Sequence, residues 1–135
     1  MTRRRLVDTN LIIRHLVQDH EKQAKIAGEL FEACDRGGII LVILPAVLAE
    51  CVFVLESFYQ HRRADIASAL SQLISSPGIE LRGAAVHLDA LERYQREKLH
   101  FVDCLIAATS VAEDAPVATF DREFRRFPDV RVQIG

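Results

Sequence analysis

Residues 39–43 read Ile-Ile-Leu-Val-Ile, a continuous aliphatic run between two segments with helical patterns. A run of this length and branching is typical of a strand buried on both faces, as in a parallel sheet covered by helices. Gly37-Gly38 ends the helical pattern before the run, and Pro45 suits the first turn of a helix after it. These residues predict a helix–strand–helix unit built on a parallel sheet.

Strand and helix patterns alternate along the whole chain. The apolar runs predict five strands, at residues 4–8, 39–43, 79–81, 117–120 and 130–132. The spacing of apolar residues predicts helices at 9–18, 21–36, 45–60, 62–75, 84–98 and 102–113, and a short helix at 121–126. Strands that alternate with helices predict an α/β fold, in which a mainly parallel sheet carries helices on both faces.

Length and composition narrow the class of protein. A chain of 135 residues has the length of one domain, so we expect residues 1–135 to form a single domain. No apolar stretch reaches the ~20 residues of a membrane helix, and no signal peptide precedes Asp8. Because Cys34, Cys51 and Cys104 form no CxxC pair, we expect reduced thiols and a cytoplasmic location. The net charge of −2 argues against a protein that binds nucleic acid by overall charge alone.

Two aspartates come at the ends of predicted strands. Asp8 closes the run 5–8, which we expect to be buried, and Asp121 follows the run 117–120. In parallel α/β sheets, ligands bind beyond the carboxyl ends of the strands, so these positions suit a functional site. Aspartate is also a favoured helix N-cap, and capping explains either residue equally well when it is taken alone.

Two further acids fall where helical spacing places apolar residues. Glu50 lies on the apolar stripe of the helix at 45–60, and Asp103 shares a helical face with Ile106 and Ala107. An acid that cannot reach water must be paired, protonated or bound to a cation, although Asp103 could instead be an N-cap. Carboxylates gathered without lysine or histidine partners favour a hard divalent cation, which predicts Mg²⁺ or Mn²⁺.

Four segments that contain these acids together resemble the PIN-domain nucleases, and among them the VapC toxins of prokaryotic toxin–antitoxin pairs. The segments are Val7-Asp8-Thr9-Asn10-Leu11-Ile12, Leu48-Ala49-Glu50-Cys51-Val52, Asp103-Cys104-Leu105-Ile106-Ala107-Ala108 and Thr119-Phe120-Asp121-Arg122-Glu123-Phe124. They follow the family's order and spacing over nearly the whole chain. The resemblance implies a three-layer α/β/α sandwich with a PIN-like five-stranded sheet, cleavage of RNA, a homodimer, and inhibition by a cognate antitoxin.

The resemblance also implies roles for individual residues. Asp8, Asp103 and Asp121 are expected to hold one or two Mg²⁺ or Mn²⁺ ions, and Glu50 to complete the cluster as a general base or as an outer acceptor. The residues that could orient waters or acids, or simply cap helices, are Thr9, Asn10 and Thr119. The candidate contacts to RNA phosphates are taken from their nearness to the site in sequence, although a solvated helix face explains any one of them better when it is taken alone. They are Arg14, one turn past Asn10, and Arg122, Arg125 and Arg126, which follow Asp121.

Other classes of protein place acids at a sheet edge. A receiver-type phosphoacceptor requires a lysine after the last strands, but no lysine follows Lys98. A haloacid-dehalogenase-type phosphatase requires Asp-x-Asp after the first strand, but the second position here is Asn10. The stronger alternative is a catalytically inactive PIN-like scaffold that acts by binding RNA or protein. Metal-dependent turnover distinguishes that scaffold from a nuclease.

Overall fold

A computed structural model describes residues 3–133 of the chain. Its strands are β1 (Arg3–Leu6), β2 (Ile39–Val42) and β3 (Ile79–Glu80). Its helices are α1 (Thr9–Val17), α2 (Glu21–Asp35), α3 (Pro45–Ser57), α4 (Arg63–Ile74), α5 (Ala84–Arg96) and α6 (Phe101–Glu113), followed by a 3₁₀ helix, Arg122–Arg126. Contacts divide the chain into two compact units, of which the first ends at Ala84 and the second begins at Ala85. The α/β class is confirmed, while the single domain stays a prediction.

The first unit contains a three-stranded parallel sheet in the order β1-β2-β3. The central strand is β2, where Leu41 pairs with Arg5 on one side and with Ile79 on the other. Leu41 is fully buried, as its aliphatic run predicts. The prediction of a buried first strand is wrong, because β1 is an edge of this sheet and its side chains are exposed. Arginines suit an edge strand because charged side chains oppose pairing with another chain.

Each helix of the first unit buries one face. The helical spacing correctly predicted the buried face of α2, which contains Ala27, Phe31 and Cys34. Burial of a side chain such as Phe31 stabilises the fold by about 1.5–3 kcal/mol. The corresponding buried residues of the other helices are Ile12 and Ile13 in α1, Leu48, Cys51, Val52 and Leu55 in α3, and Ile66, Ala67, Leu70, Leu73 and Ile74 in α4.

The turn before β3 requires glycine at position 78. Gly78 has a φ of +83°, a conformation that other residues rarely adopt. A Cβ atom at this position would lie 2.7 Å from both the carbonyl oxygen and the sulfur of Cys34. The Cys34 thiol also contacts the carbonyl oxygen of Pro77 at 3.6 Å. Glycine therefore allows β3 to begin directly against the C-terminal end of α2.

The second unit contains little β structure. The segments predicted as strands at 117–120 and 130–132 form a single parallel bridge, between Val117 and Val132. Two hydrogen bonds hold it, from the Val117 N–H to the Arg131 carbonyl at 2.8 Å and from the Gln133 N–H to the Val117 carbonyl at 2.9 Å. The predicted count of five strands is therefore corrected to three within residues 3–133.

An ion pair between a buried arginine and a half-exposed aspartate joins α5 to the C-terminal segment of the second unit. Arg93 is 3 % exposed and donates to both carboxylate oxygens of Asp129, at 2.9 and 2.6 Å. It also donates to Asp89 at 3.2 Å, and its guanidinium lies 5.3 Å from the ring centroid of Phe127. The hydrogen bond to Asp129 raises the pKa of Arg93 and lowers the pKa of Asp129. These contacts fix the segment that leads into the Val117–Val132 bridge.

Most helix ends lie within two residues of their predicted positions. The largest difference is in α3, which ends at Ser57 instead of residue 60. The chain reverses just beyond that helix, where Gln60 has a φ of +57°. Within residues 3–133, no helix is long and apolar enough to cross a membrane.

Candidate active site

Asp8 is the N-cap of α1 in the first unit. Its backbone is extended, and its Oδ1 accepts a hydrogen bond from the Leu11 N–H at 3.0 Å. This contact is the capping role that the sequence left open. The side chain is exposed, and no residue in the described part of the chain bonds its Oδ2 atom. Asp8 therefore caps a helix and still keeps one oxygen for a further ligand.

Glu50 lies in α3 and is joined to α1 by a hydrogen bond. The Thr9 hydroxyl donates to Oε1 of Glu50. Asp8, Thr9, Asn10 and Glu50 all line one cavity of about 420 Å³, together with Val47 and Val54. The first unit thus brings two of the predicted acids together with two of the predicted auxiliary residues.

The expectation that Glu50 cannot reach water is wrong. Glu50 is exposed, and the buried face of α3 is the one that carries Leu48 and Cys51. Phe53 lies on another side of α3 and is 68 % exposed. Phe58, the C-cap of this helix, is 76 % exposed. Because α3 is apolar on nearly every side, residue spacing does not mark which side is buried. Glu50 is a candidate site residue because it shares a cavity with Asp8.

Cys51 lies behind this acid pair. Burial raises the pKa of its thiol to about 12, and the charges of Glu50 and Asp8 act in the same direction. Cys51 is fully buried and is a core residue, since a thiol kept protonated is a poor metal ligand.

Arg14 belongs to a hydrogen-bonded group that the sequence did not reveal. Its guanidinium donates to Gln23 at 2.8 Å and to Asp19 at 3.1 Å. The Tyr59 hydroxyl donates to Asp19 at 3.0 Å, which lowers the pKa of that carboxyl group. Arg14 also lines a cavity with Asp8, but it would have to exchange its present partners in order to bind an RNA phosphate. These residues are dispersed in sequence, so no local motif links them.

Asp103 lies in the first turn of α6 in the second unit. The N-cap of this helix is His100, so Asp103 is not the cap that the sequence left open. A carboxylate in the first turn interacts favourably with the helix dipole. Asp103 is half-buried and shares its helical face with Ile106, which is 41 % exposed, and with the buried Ala107.

Asp121 is the N-cap of the 3₁₀ helix. Its N–H donates to the Thr119 hydroxyl at 2.9 Å, and its Oδ1 accepts from the Glu123 N–H at 2.9 Å. Thr119 therefore fixes the backbone at Asp121. In the chain from 3 to 133, no residue bonds Oδ2 of Asp121. Like Asp8, this residue combines a capping contact with one available oxygen.

Asp103, Asp121 and Thr119 line one cavity of about 670 Å³ in the second unit. Its walls are mostly apolar and come from α6 and from residues 115–119. The second unit thus brings together the other two predicted acids and the third predicted auxiliary residue.

Three of the predicted arginines lie on the 3₁₀ helix that follows Asp121. Arg122 and Arg125 are exposed, and neither forms an ion pair with any described residue. Arg126 pairs with Glu123, with its Nε atom 3.0 Å from Oε2. Two unpaired cations therefore follow Asp121, while Arg126 and Glu123 offset each other's charge.

The acid pairs offer the hard oxygen donors that Mg²⁺ and Mn²⁺ prefer. Each unit places two carboxylates in one cavity, and all four carboxylates have at least one oxygen without a partner among the described residues. No three histidine, cysteine, aspartate or glutamate side chains in residues 3–133 lie close enough to hold a metal ion. The donor chemistry fits either cation, and a common four-acid cluster stays a prediction.

The chain matches a known protein family and is similar to a solved structure. A family model described as PIN domain matches residues 5–130, a range that contains all four acids. Among solved structures, the chain is similar to VapBC2 from Rickettsia felis in its crystal structure bound to a DNA fragment from the promoter. That similarity has 19 % sequence identity and a TM-score of 0.41, and it covers 98 % of each chain. No curated protein matches the chain.

Proposed function

The chain belongs to the PIN-domain family, and from this membership we propose that it is an Mg²⁺- or Mn²⁺-dependent endoribonuclease and the toxin of a toxin–antitoxin pair. The observation that carries the proposal is the pairing of the acids. Asp8 shares one cavity with Glu50, and Asp103 shares another with Asp121, all within the matched range. Four carboxylates without lysine partners suit the binding of a divalent cation.

We propose Asp8, Asp103 and Asp121 as ligands of the metal, with Glu50 completing the set. When bound, the ion lowers the pKa of a water molecule and offsets the charge that develops on the phosphate. Backbone N–H groups hold one oxygen of Asp8 and one of Asp121, which restricts the rotation of both carboxylates. Such supporting hydrogen bonds are typical of metal-binding carboxylates.

Glu50 has two chemical roles open to it. Thr9 holds Oε1, so Oε2 is the atom that would accept a proton from water or bind the ion. If Glu50 is a general base, the activity of the wild type rises with pH through the pKa of this base, and Glu50→Gln lacks that rise. If Glu50 is an outer acceptor, the wild type and Glu50→Gln have the same pH profile. The pH dependence of Glu50→Gln therefore distinguishes the two roles. We propose Arg122 and Arg125 as contacts to RNA phosphates, because both are exposed and unpaired among the described residues.

We further propose that the protein acts in the cytoplasm as a homodimer and is inhibited by a cognate antitoxin. The exposed aromatic residues Phe53 and Phe58 give the first unit apolar surface for a protein partner. The test is to measure molar mass by light scattering for the protein alone and after co-expression with the product of the gene immediately upstream. A monomer in both samples would contradict this part of the proposal.

The nuclease proposal is tested by RNA cleavage in Mg²⁺ or Mn²⁺. Loss of one acid, in Asp8→Asn or Asp103→Asn, should lower kcat/KM by about 100-fold or more, as the loss of a group that stabilises transition-state charge does. The matched control is Asp65→Asn, because Asp65 lies in the first turn of α4 as Asp103 lies in the first turn of α6. Full activity of either site variant, or of the wild type in EDTA, would contradict the proposal.

The second candidate is an inactive scaffold that binds RNA or protein. It is favoured by one observation, which is that Asp8 and Asp121 both have capping roles that need no metal. The scaffold would bind RNA without cleaving it, and its affinity would be the same with and without Mg²⁺. Cleavage by the wild type that EDTA abolishes would exclude it.

A further inference from the structure

Phe120 lies between two residues of the candidate site and is unusually exposed. Its side chain is 87 % exposed, the highest value among the large apolar side chains of residues 3–133. Its neighbours Thr119 and Asp121 both line the cavity of the second unit. The other aromatic residue of this segment, Phe124, is 4 % exposed. Phe124 therefore anchors the segment in the core, and the fold makes no use of the Phe120 ring.

The backbone on both sides of Phe120 is held in place. The Asp121 N–H donates to the Thr119 hydroxyl, which closes a short turn around Phe120. The Glu123 N–H then donates to the Asp121 carboxylate. An aromatic ring on a fixed backbone loses little conformational entropy when it binds a ligand, because few rotations remain to be restricted.

The surroundings of Phe120 suggest the class of ligand. Arg122 and Arg125 follow it closely, are exposed, and have no ion-pair partner among the described residues. Guanidinium groups bind phosphates, and an exposed aromatic ring stacks on a nucleobase whose face is open. A base inside a duplex is already covered on both faces, so this combination suits an unpaired base.

We propose that Phe120 is a stacking platform for an unpaired nucleobase beside the phosphate that is cut. The inference rests on the proposed nuclease function and narrows its substrate to single-stranded RNA. Phe120 binds the base, while the neighbouring arginines bind phosphates on the same strand. The ring gives affinity for a base face without specifying which base it is.

The chain has no tryptophan, so Phe120→Trp introduces a single indole at the proposed platform. We would titrate this variant with a short oligoadenylate in Mg²⁺, in the Asp103→Asn background that keeps the RNA intact. Stacking should quench the indole fluorescence, and an abasic sugar-phosphate of the same length should not. The matched control is Val111→Trp, because Val111 is an exposed apolar residue on α6 that does not line the cavity. The indole fluorescence of this control variant should not change when the oligoadenylate is added.

Cleavage gives an independent measurement. Phe120→Ala should lower kcat/KM on single-stranded RNA about tenfold, which is the range expected for the loss of one stacked base. Phe120→Tyr should keep wild-type activity, and so should the control Val111→Ala, because Val111 is exposed on α6 and does not line the cavity. Wild type should cut a duplex of the same sequence more slowly than the single strand.

Several outcomes would overturn the stacking platform. The first is that the abasic oligomer quenches the indole fluorescence as strongly as the oligoadenylate does. The second is that Phe120→Ala and the wild type cleave RNA equally fast. The third is that the indole fluorescence does not respond to RNA and changes only with protein concentration. The last outcome would instead assign Phe120 to an interface between copies of the chain. Quenching by oligoadenylate without any cleavage by wild type would support the platform and contradict the nuclease function. Metal-dependent cleavage by the wild type without quenching of the indole would support the nuclease function and contradict the platform.

Discussion

The two acid pairs are held by different kinds of structure. In the first unit, Asp8 follows a strand of a three-stranded parallel sheet, and the Thr9 hydroxyl joins α1 to Glu50 on α3. In the second unit, Asp121 lies in a segment whose only strand pairing among described residues is one β-bridge. Hydrogen bonds from side chains and the buried Phe124 replace regular secondary structure there. Regular elements thus position one pair, and specific side-chain anchors position the other.

The largest effect on stability is expected at the anchor of the second unit. Arg93→Met removes a buried guanidinium that donates to both oxygens of the half-exposed Asp129 carboxylate, and it should lower the free energy of unfolding by about 2 kcal/mol. Arg14→Met, in the first unit, removes a partly exposed guanidinium that forms one hydrogen bond to Gln23 and one to Asp19. This change should lower the free energy of unfolding by about 1 kcal/mol. Urea denaturation measures both values.

The control for these variants is Arg96→Met. Arg96 forms an exposed ion pair with Glu92 one turn away, so its loss should change the free energy of unfolding by less than about 0.5 kcal/mol. Equal losses for Arg93→Met and Arg14→Met would show that the two units do not differ in how they are anchored.

The next effect is on activity and concerns the two threonines. Thr9→Val removes the hydroxyl that holds the Glu50 carboxylate, so kcat/KM should fall about tenfold, or about 1.4 kcal/mol. Thr119→Val removes a bond to the backbone at Asp121 and should lower kcat/KM less, by about threefold, because the Glu123 N–H still holds the carboxylate. Initial rates of RNA cleavage give both numbers.

Ser76→Ala serves as the control for the threonine variants. The Ser76 hydroxyl donates to the Gln72 carbonyl within its own turn and contacts no acid, so activity should not change. A larger loss for Thr119→Val than for Thr9→Val would reverse the order that the two arrangements predict.

The smallest effect concerns the pH dependence of stability in the first unit. Burial lowers the pKa of His15 below its ordinary value of 6.5, against the opposing charge of Asp35, and the ring stacks on Phe31 at 4.3 Å between centroids. The unfolded chain therefore binds the proton first as pH falls. The stabilisation from a neutral His15 is present above about pH 6.5 and is lost as pH falls below it.

His15→Leu should accordingly lose less stability than the wild type between pH 7 and pH 5. Urea denaturation at these two values, about pH 7 and about pH 5, measures the difference in a range above the ordinary titration of carboxylates. The same pH dependence in both proteins would show that the protonation of His15 does not affect folding.

The sequence predicted the regular parts of the fold well. The aliphatic run at 39–43 became the central strand β2, and apolar spacing located α2 to within one residue at its end. Both predictions rest on patterns that a local element repeats along its length. The positions of Asp8 and Asp121 at helix starts follow from the same local signals.

The sequence did not predict features that depend on distant partners. The run 117–120 is apolar enough for a strand, but whether it pairs depends on the segment around Val132, and only one bridge forms among the described residues. Because α3 is apolar nearly all round, residue spacing leaves its buried side undetermined and wrongly predicts that Glu50 is buried. The Arg93–Asp129 ion pair spans 36 positions and has no local pattern at all.

We propose that carboxylates of both units bind Mg²⁺ or Mn²⁺. Titration of the metal-free protein with Mn²⁺, followed by calorimetry, tests this claim without depending on activity. We expect wild type and Asp65→Asn to bind Mn²⁺ equally, and Asp8→Asn and Asp103→Asn each to bind at least about tenfold more weakly. Unchanged Mn²⁺ affinity in both site variants, or no binding by the wild type, would contradict the claim.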